Sequence, residues 1–379
     1  MQHPVEPKTT EVNQAEATPA EASDNRTWPR GPIVRRWASV PPPHQPLVVV
    51  AVASFAWLLA CLALQAVDGR TVLGVSTWVK PAKFAASISL TAATLAWLLR
   101  AVVLSPRATR RVVTVVAVAF ALELLIISVQ AARGVPSHFN NATRVDGLLF
   151  SVMGVGIVAA TLALAAVAVR AFRQRFSDPV LGWGIRFGFV ALLLGSAVGG
   201  VMPRPTAGQV EALRAGQPAP FVGAHAVGVP DGGPGLPVSG WAIEGGDLRV
   251  SHFLGLHGFQ VLPMLGWIVS RRRRAGRDAA GRAAGLVAVA GFAYAGIIVV
   301  AFFQALRGQP LLRPDTATGA AAAVVLAAAL IAAAGVLLAT GARPVGAAWA
   351  GPWRASSPSA APGTRAGSLA VGRHKSPAL

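Results

Sequence analysis

Eight apolar runs, each about 20 residues long, fall at 47–67, 84–104, 112–132, 147–169, 183–202, 252–270, 284–304 and 319–340. A helix of that length crosses the hydrocarbon core of a bilayer. Lipid offers no hydrogen bonds to a backbone, so a continuous apolar run of this kind is a helix there. The runs therefore predict an all-α integral membrane protein, a bundle of eight transmembrane helices. Composition agrees: only 13% of residues are charged, against about 25% in soluble domains.

The net charge of +19 would suit a nucleic-acid binder, but its distribution excludes that reading. The loops after runs two, four and six hold thirteen Arg, while the short loops after runs one, three and seven hold seven Lys and Arg. That asymmetry places the first set, and both termini, in the cytoplasm of a cell-membrane protein. Residues 1–46, rich in Glu, Pro, Thr and Ala and then Arg, and 341–379, rich in Ala, Pro, Ser and Arg, read as disordered cytoplasmic tails. No cleavable signal sequence precedes run one. The long extracytoplasmic connection, 203–251, is rich in Gly and Pro and reads as a lid or a flexible connector. The single cysteine, Cys61, sits inside run one, which excludes an internal disulfide and argues against a cysteine metal site. There is no phosphate-binding loop, no HExxH and no GxSxG.

One short pattern recurs. Gln130-Ala-Ala-Arg-Gly-Val-Pro136 leaves run three and Gln304-Ala-Leu-Arg-Gly-Gln-Pro310 leaves run seven. Equivalent positions in two sets of four spans imply two four-helix halves of the same topology, a parallel repeat.

Polar groups gather at the outer ends of the runs. Lys83 heads a polar stripe with Ser87, Thr91 and Thr94, whereas Lys80 is expected to snorkel to the interface. Glu123 lies near the middle of run three, where a carboxylate must be paired, protonated or open to water. Gln130, seven residues on, shares its face. Arg133, His138 and Asp146 lie in or beside the next connector, with Asp146 placed to cap run four. Asp247, Arg249, His252, His257 and Gln260 crowd the mouth of run six. Gly195 and Gly199 form a GxxxG pattern suited to close helix packing.

Three stretches, Trp78-Val-Lys-Pro-Ala-Lys-Phe84, Arg133 through Asn140, and Gly246 through His257 with Gln260, resemble a family of uncharacterised bacterial multi-pass membrane proteins over about residues 66–310. That family has no established activity, so the resemblance implies a location and no chemistry. The two-by-four arrangement is similar to haem A synthase, though runs two, four and eight lack the histidines that family uses. The set Ser137, His138, Asp146, His252 and His257 resembles that of ceramidase-like membrane hydrolases, at different spacing.

The leading expectation is a protein that binds or transports a small, anionic molecule or a lipid through an outward-facing cavity. Lys83, Glu123, Gln130, Arg133, His138, Asp247, Arg249, His252, His257, Gln260, Gln304 and Arg307 would line it. Glu123 would respond to protons or cations, and the basic residues would hold the ligand. An alternative is a zinc- or haem-dependent enzyme at the outer leaflet, with His138, His252 and His257 as metal ligands. A third is an assembly or scaffold protein, which would tolerate alanine at every outer charge.

Overall fold

The computed structural model describes residues 42–273 and 276–339, so the two predicted tails fall almost wholly outside the described residues. Nine α-helices are described: α1 (Gln45–Val67), α2 (Val79–Leu98), α3 (Pro106–Ala132), α4 (Arg144–Arg173), α5 (Pro179–Gly199), the short α6 (Ala207–Arg214), α7 (Leu248–Arg272), α8 (Arg277–Leu306) and α9 (Thr316–Leu338). Seven of them, all but α2 and α6, are long and apolar enough to cross a membrane. The chain is an all-α, membrane-spanning protein.

Helix α2 departs from the expected second span. It begins at Val79, five residues early, and stops at Leu98, leaving the apolar stretch 101–104 outside it. Lys80 and Lys83 therefore belong to its first turns, with Pro81, which lacks a donor, where no helical bond is required. Helix α2 carries Ser and Thr residues along its length, and it packs against α1, α3 and α7.

The chain divides into two halves with the same pattern of neighbours. In the first, α1 packs on α2 and α3, α2 on α3, and α3 on α4; in the second, α5 packs on α7 and α8, α7 on α8, and α8 on α9. The halves meet through α4 with α5 and through α2 with α7. The amide of Gln260 hydrogen-bonds the hydroxyl of Thr91 at 3.3 Å. The two residues stand thirteen places beyond the N-caps of α7 (Asp247) and α2 (Trp78), so the contact joins equivalent positions.

The repeated septapeptides fold alike. Gly134 (φ +72°) and Gly308 (φ +71°) end α3 and α8 in the left-handed conformation glycine tolerates best. Val135 N–H donates to the Gln130 carbonyl at 3.0 Å, and Gln309 N–H to the Gln304 carbonyl at 3.2 Å. The C-cap arginine of each loop then reaches an acid at the start of the next helix. Arg133 bonds Asp146 at 2.6 Å, and Arg307 bonds Asp315.

The α5–α7 pair is the most extensive helix contact. A side chain at Gly195 would meet the His252 carbonyl at 2.7 Å, and one at Gly199 the His252 ring at 2.9 Å. The GxxxG pattern thus creates the slot that His252 fills.

Candidate functional site

At the end of the bundle carrying the loops 68–78, 133–143, 200–247 and 307–315, the long connection folds down as a cover. It runs from 200 to 247, a few residues earlier at each end than the sequence suggests, because Asp247 caps α7 and the helix begins at Leu248. Strands β3 (Ala226–Val227) and β4 (Gly246–Asp247) pair within it; β1 (Thr71–Val72) and β2 (Val75–Ser76) form a small hairpin in the 68–78 loop. The cover's backbone is tied to the bundle. Val222 N–H donates to the Phe139 carbonyl at 2.9 Å, and Asn141 N–H to the Pro220 carbonyl at 2.7 Å. Asp231 accepts from the backbone of His225 and Ala226 and from the His225 ring at 2.7 Å. Lys83 donates to the Ser239 carbonyl at 3.0 Å.

Beneath the cover, Glu123 is only 4% exposed. Its nearest polar partner is Nε2 of His138, 3.4 Å from Oε1, beyond the usual range of a formed hydrogen bond. Oε2 is buried and has no partner among the described residues. His138 is aimed inward by Phe139, whose φ of +61° lies in the left-handed region. The Phe139 ring holds that conformation by packing on Phe150 and on His225, at centroid distances of 5.7 and 4.8 Å. Ser137 Oγ lies 3.1 Å from His138 Nδ1. Burial, then the charge of Lys80, keeps the His138 imidazole well below its ordinary pKa, so it is neutral near pH 7. In the tautomer in which Ser137 donates to Nδ1, the ring proton is on Nε2, on the side of Glu123.

Lys80 completes the centre. Its charge interacts with those of Glu123, Arg249 and Asp231, and it has no hydrogen bond or ion pair among the described residues. Arg249 is committed: it forms a two-pronged pair with Asp247, closest at 2.6 Å, and donates to the Gly240 carbonyl. Burial tends to raise the Asp231 pKa, but the His225 ring and backbone bonds outweigh it and bring it to about 2. Burial, partly opposed by Asp231, lowers that of His225. A cleft of about 230 Å³ lies in the cover, lined by Asp231, Glu244 and Arg249 among glycines and prolines.

The structure does not bring all the predicted residues into one cavity. Gln130 is fully buried and donates to Asp146 at 2.9 Å, and Arg133 closes the triangle by bonding both. With Thr143 on the other Asp146 oxygen at 2.7 Å, this clamp between α3 and α4 is saturated. Gln304 closes its own turn on the Pro310 and Leu311 carbonyls, and Arg307 is spent on Asp315 and Thr318. Gln260 lies deeper, at the α2–α7 contact. The proposed metal ligands do not converge: His138 faces Glu123, His252 Nδ1 is 2.7 Å from the Gly195 carbonyl, and His257 stacks near Phe253 at 5.8 Å. No group of three such ligands suited to a metal ion occurs among the described residues. The spacing of His252 and His257, about 140° apart on α7, is the physical reason.

Three residues of the centre were not selected from sequence. Lys80 stands one turn from Lys83, a visible signal read as snorkelling. His225 and Asp231 lie six apart in a loop without periodicity, where nothing local pairs them. No family model, curated protein or solved structure matches the chain.

Proposed function

We propose that the protein binds or transports a small anionic molecule at the loop-covered end of the bundle, with Glu123 as its proton-responsive group. The buried Glu123 oxygen without a partner carries this reading. Burying a carboxyl without satisfying it costs stability, and such a cost persists where a ligand or a proton meets the group in the working cycle. Two lysines without an ion-pair partner among the described residues support an anion. Asp247 and Asp231 are already engaged by Arg249 and His225, whereas Lys80 and Lys83 have no carboxylate within bonding distance. In this reading α2 also crosses the membrane, giving eight spans. The arginine-rich loops 100–111, 170–175 and 271–282 face the cytoplasm, and the cover faces outward.

The test is flux in proteoliposomes containing a trapped pH-sensitive dye, challenged with gradients of phosphate, sulfate, acetate or glycine. At least one gradient is expected to move protons in the parent protein and not in a folded Glu123→Gln variant. A Glu123→Gln protein that binds and moves these solutes as the parent does would refute the reading.

A further inference from the structure

Resting on that reading, we propose that the ligand is a small oxyanion that still carries a hydroxyl, of which inorganic phosphate is the simplest, held between Lys80, Lys83 and the free oxygen of Glu123. Lys80 supplies a full positive charge with no hydrogen-bond acceptor among the described residues, and Lys83 meets only a neutral carbonyl at 3.0 Å. Both ammonium groups sit at the start of α2, whose N-terminal end adds a favourable potential for an anion. An anion alone would be repelled by the third group, the Glu123 carboxylate. That carboxylate has one oxygen facing His138 and the other, buried, facing no donor.

A ligand satisfies all three only if it offers negative oxygens to the lysines and a hydrogen-bond donor to Glu123. Phosphate keeps at least one hydroxyl at neutral pH. Sulfate has none, so it would leave the Glu123 oxygen unpaired and place two anions in contact. The cleft in the cover lies on the same side, since Asp231 and Arg249 both line it and both interact with Lys80. The cleft itself does not hold the anion, since Asp231 and Glu244 line it and Asp247 neutralises Arg249; the unpaired positive charge lies with the lysines.

The duplication sharpens the assignment. Lys80 and Arg249 occupy the same position, two residues past the N-caps of α2 and α7, and Lys83 and His252 the same position three residues later. In the second half Asp247 neutralises the cation and the Gly195 carbonyl engages the histidine. Only the first half leaves both positions free of a charged partner, so binding belongs to α2.

The experiment is calorimetric titration of the detergent-purified full-length protein with potassium phosphate, sulfate, acetate and glycine at neutral pH. Phosphate is expected to bind more tightly than sulfate by roughly a hundredfold or more, the discrimination a buried acceptor imposes on a ligand lacking the donor. Lys80→Gln should weaken phosphate binding roughly tenfold or more. Glu123→Gln, which replaces an acceptor with a donor, should abolish or reverse the preference while its melting temperature reports an intact fold. Equal binding of sulfate and phosphate by the parent, or unchanged phosphate binding by Lys80→Gln, would overturn the assignment. Glu123-dependent binding of acetate or glycine without phosphate binding would overturn it and leave the broader proposal standing. No Glu123-dependent binding of any of the four would remove both.

Discussion

Two buried polar residues on one face of α3, seven positions apart, should respond to the same substitution in opposite directions. Glu123 is 4% exposed, makes no formed hydrogen bond among the described residues, and has one oxygen wholly without a partner. Gln130 is fully buried, donates to Asp146 at 2.9 Å and accepts from Arg133. Leucine matches the volume of either side chain closely enough to avoid a large cavity. Glu123→Leu removes an unsatisfied buried group, whose cost is about 1–3 kcal/mol, and should stabilise the protein by up to that amount. Apolar neighbours are at hand in the cluster of Ile126, Ile127 and Met153. Gln130→Leu strips a bond from Asp146 and another from Arg133, so it should destabilise by about 1–3 kcal/mol. Both can be followed by tryptophan fluorescence on heating, in one detergent and in phosphate-free buffer, because a bound ligand would stabilise the parent and mask the difference. Glu123→Leu should melt above the parent and Gln130→Leu below it. A lower melting temperature for a folded Glu123→Leu protein would refute the reasoning, since it would mean that the carboxyl contributes to the fold rather than being carried at its expense.

Acid should loosen the cover in two stages. His138 and His225 have lowered pKa values in the folded protein, so the unfolded chain takes up more protons as pH falls below about 6.5 and stability declines there. Asp231 is held at about 2 in the folded state; its contribution is present above an unfolded value of about 3.9 and is lost as pH falls from there towards 2. Limited proteolysis of residues 200–247 should accelerate over the same ranges, and a pH-independent cleavage rate would count against the His225–Asp231 tie. The two C-cap arginines should differ despite their common position. Arg133→Ala leaves Asp146, 3% exposed, without its ion-pair partner and should cost about 1–3 kcal/mol. Arg307→Ala breaks a pair whose side chains are 49% and 37% exposed and should lower the melting temperature far less; equal losses in thermal unfolding would contradict that distinction.

The sequence by itself determined the elements of the membrane domain. Apolar run length dictates helices because lipid leaves the backbone no other partner, and the boundaries of α1, α3, α4, α5, α7, α8 and α9 lie within a few residues of those runs, apart from the polar first turns that extend some of them. It also displayed the septapeptide repeat and the glycines that let α5 and α7 touch. These are local or periodic properties, and a linear chain shows them directly. The site was different. Glu123 stood out because a charge in an apolar run is anomalous wherever it points. Gln130, Arg133, Gln304 and Arg307 are weaker signals of the same kind, and tertiary structure engages each with groups of its own or the next element. Lys80 was passed over because snorkelling and site formation look identical in sequence. Only the cover, whose strands and turns are closed by residues far apart in the chain, decides that its ammonium lies under a folded loop within electrostatic reach of Glu123. Whether a buried polar group is satisfied depends on what the rest of the chain places within 3 Å of it, and that is a property of the packed molecule alone.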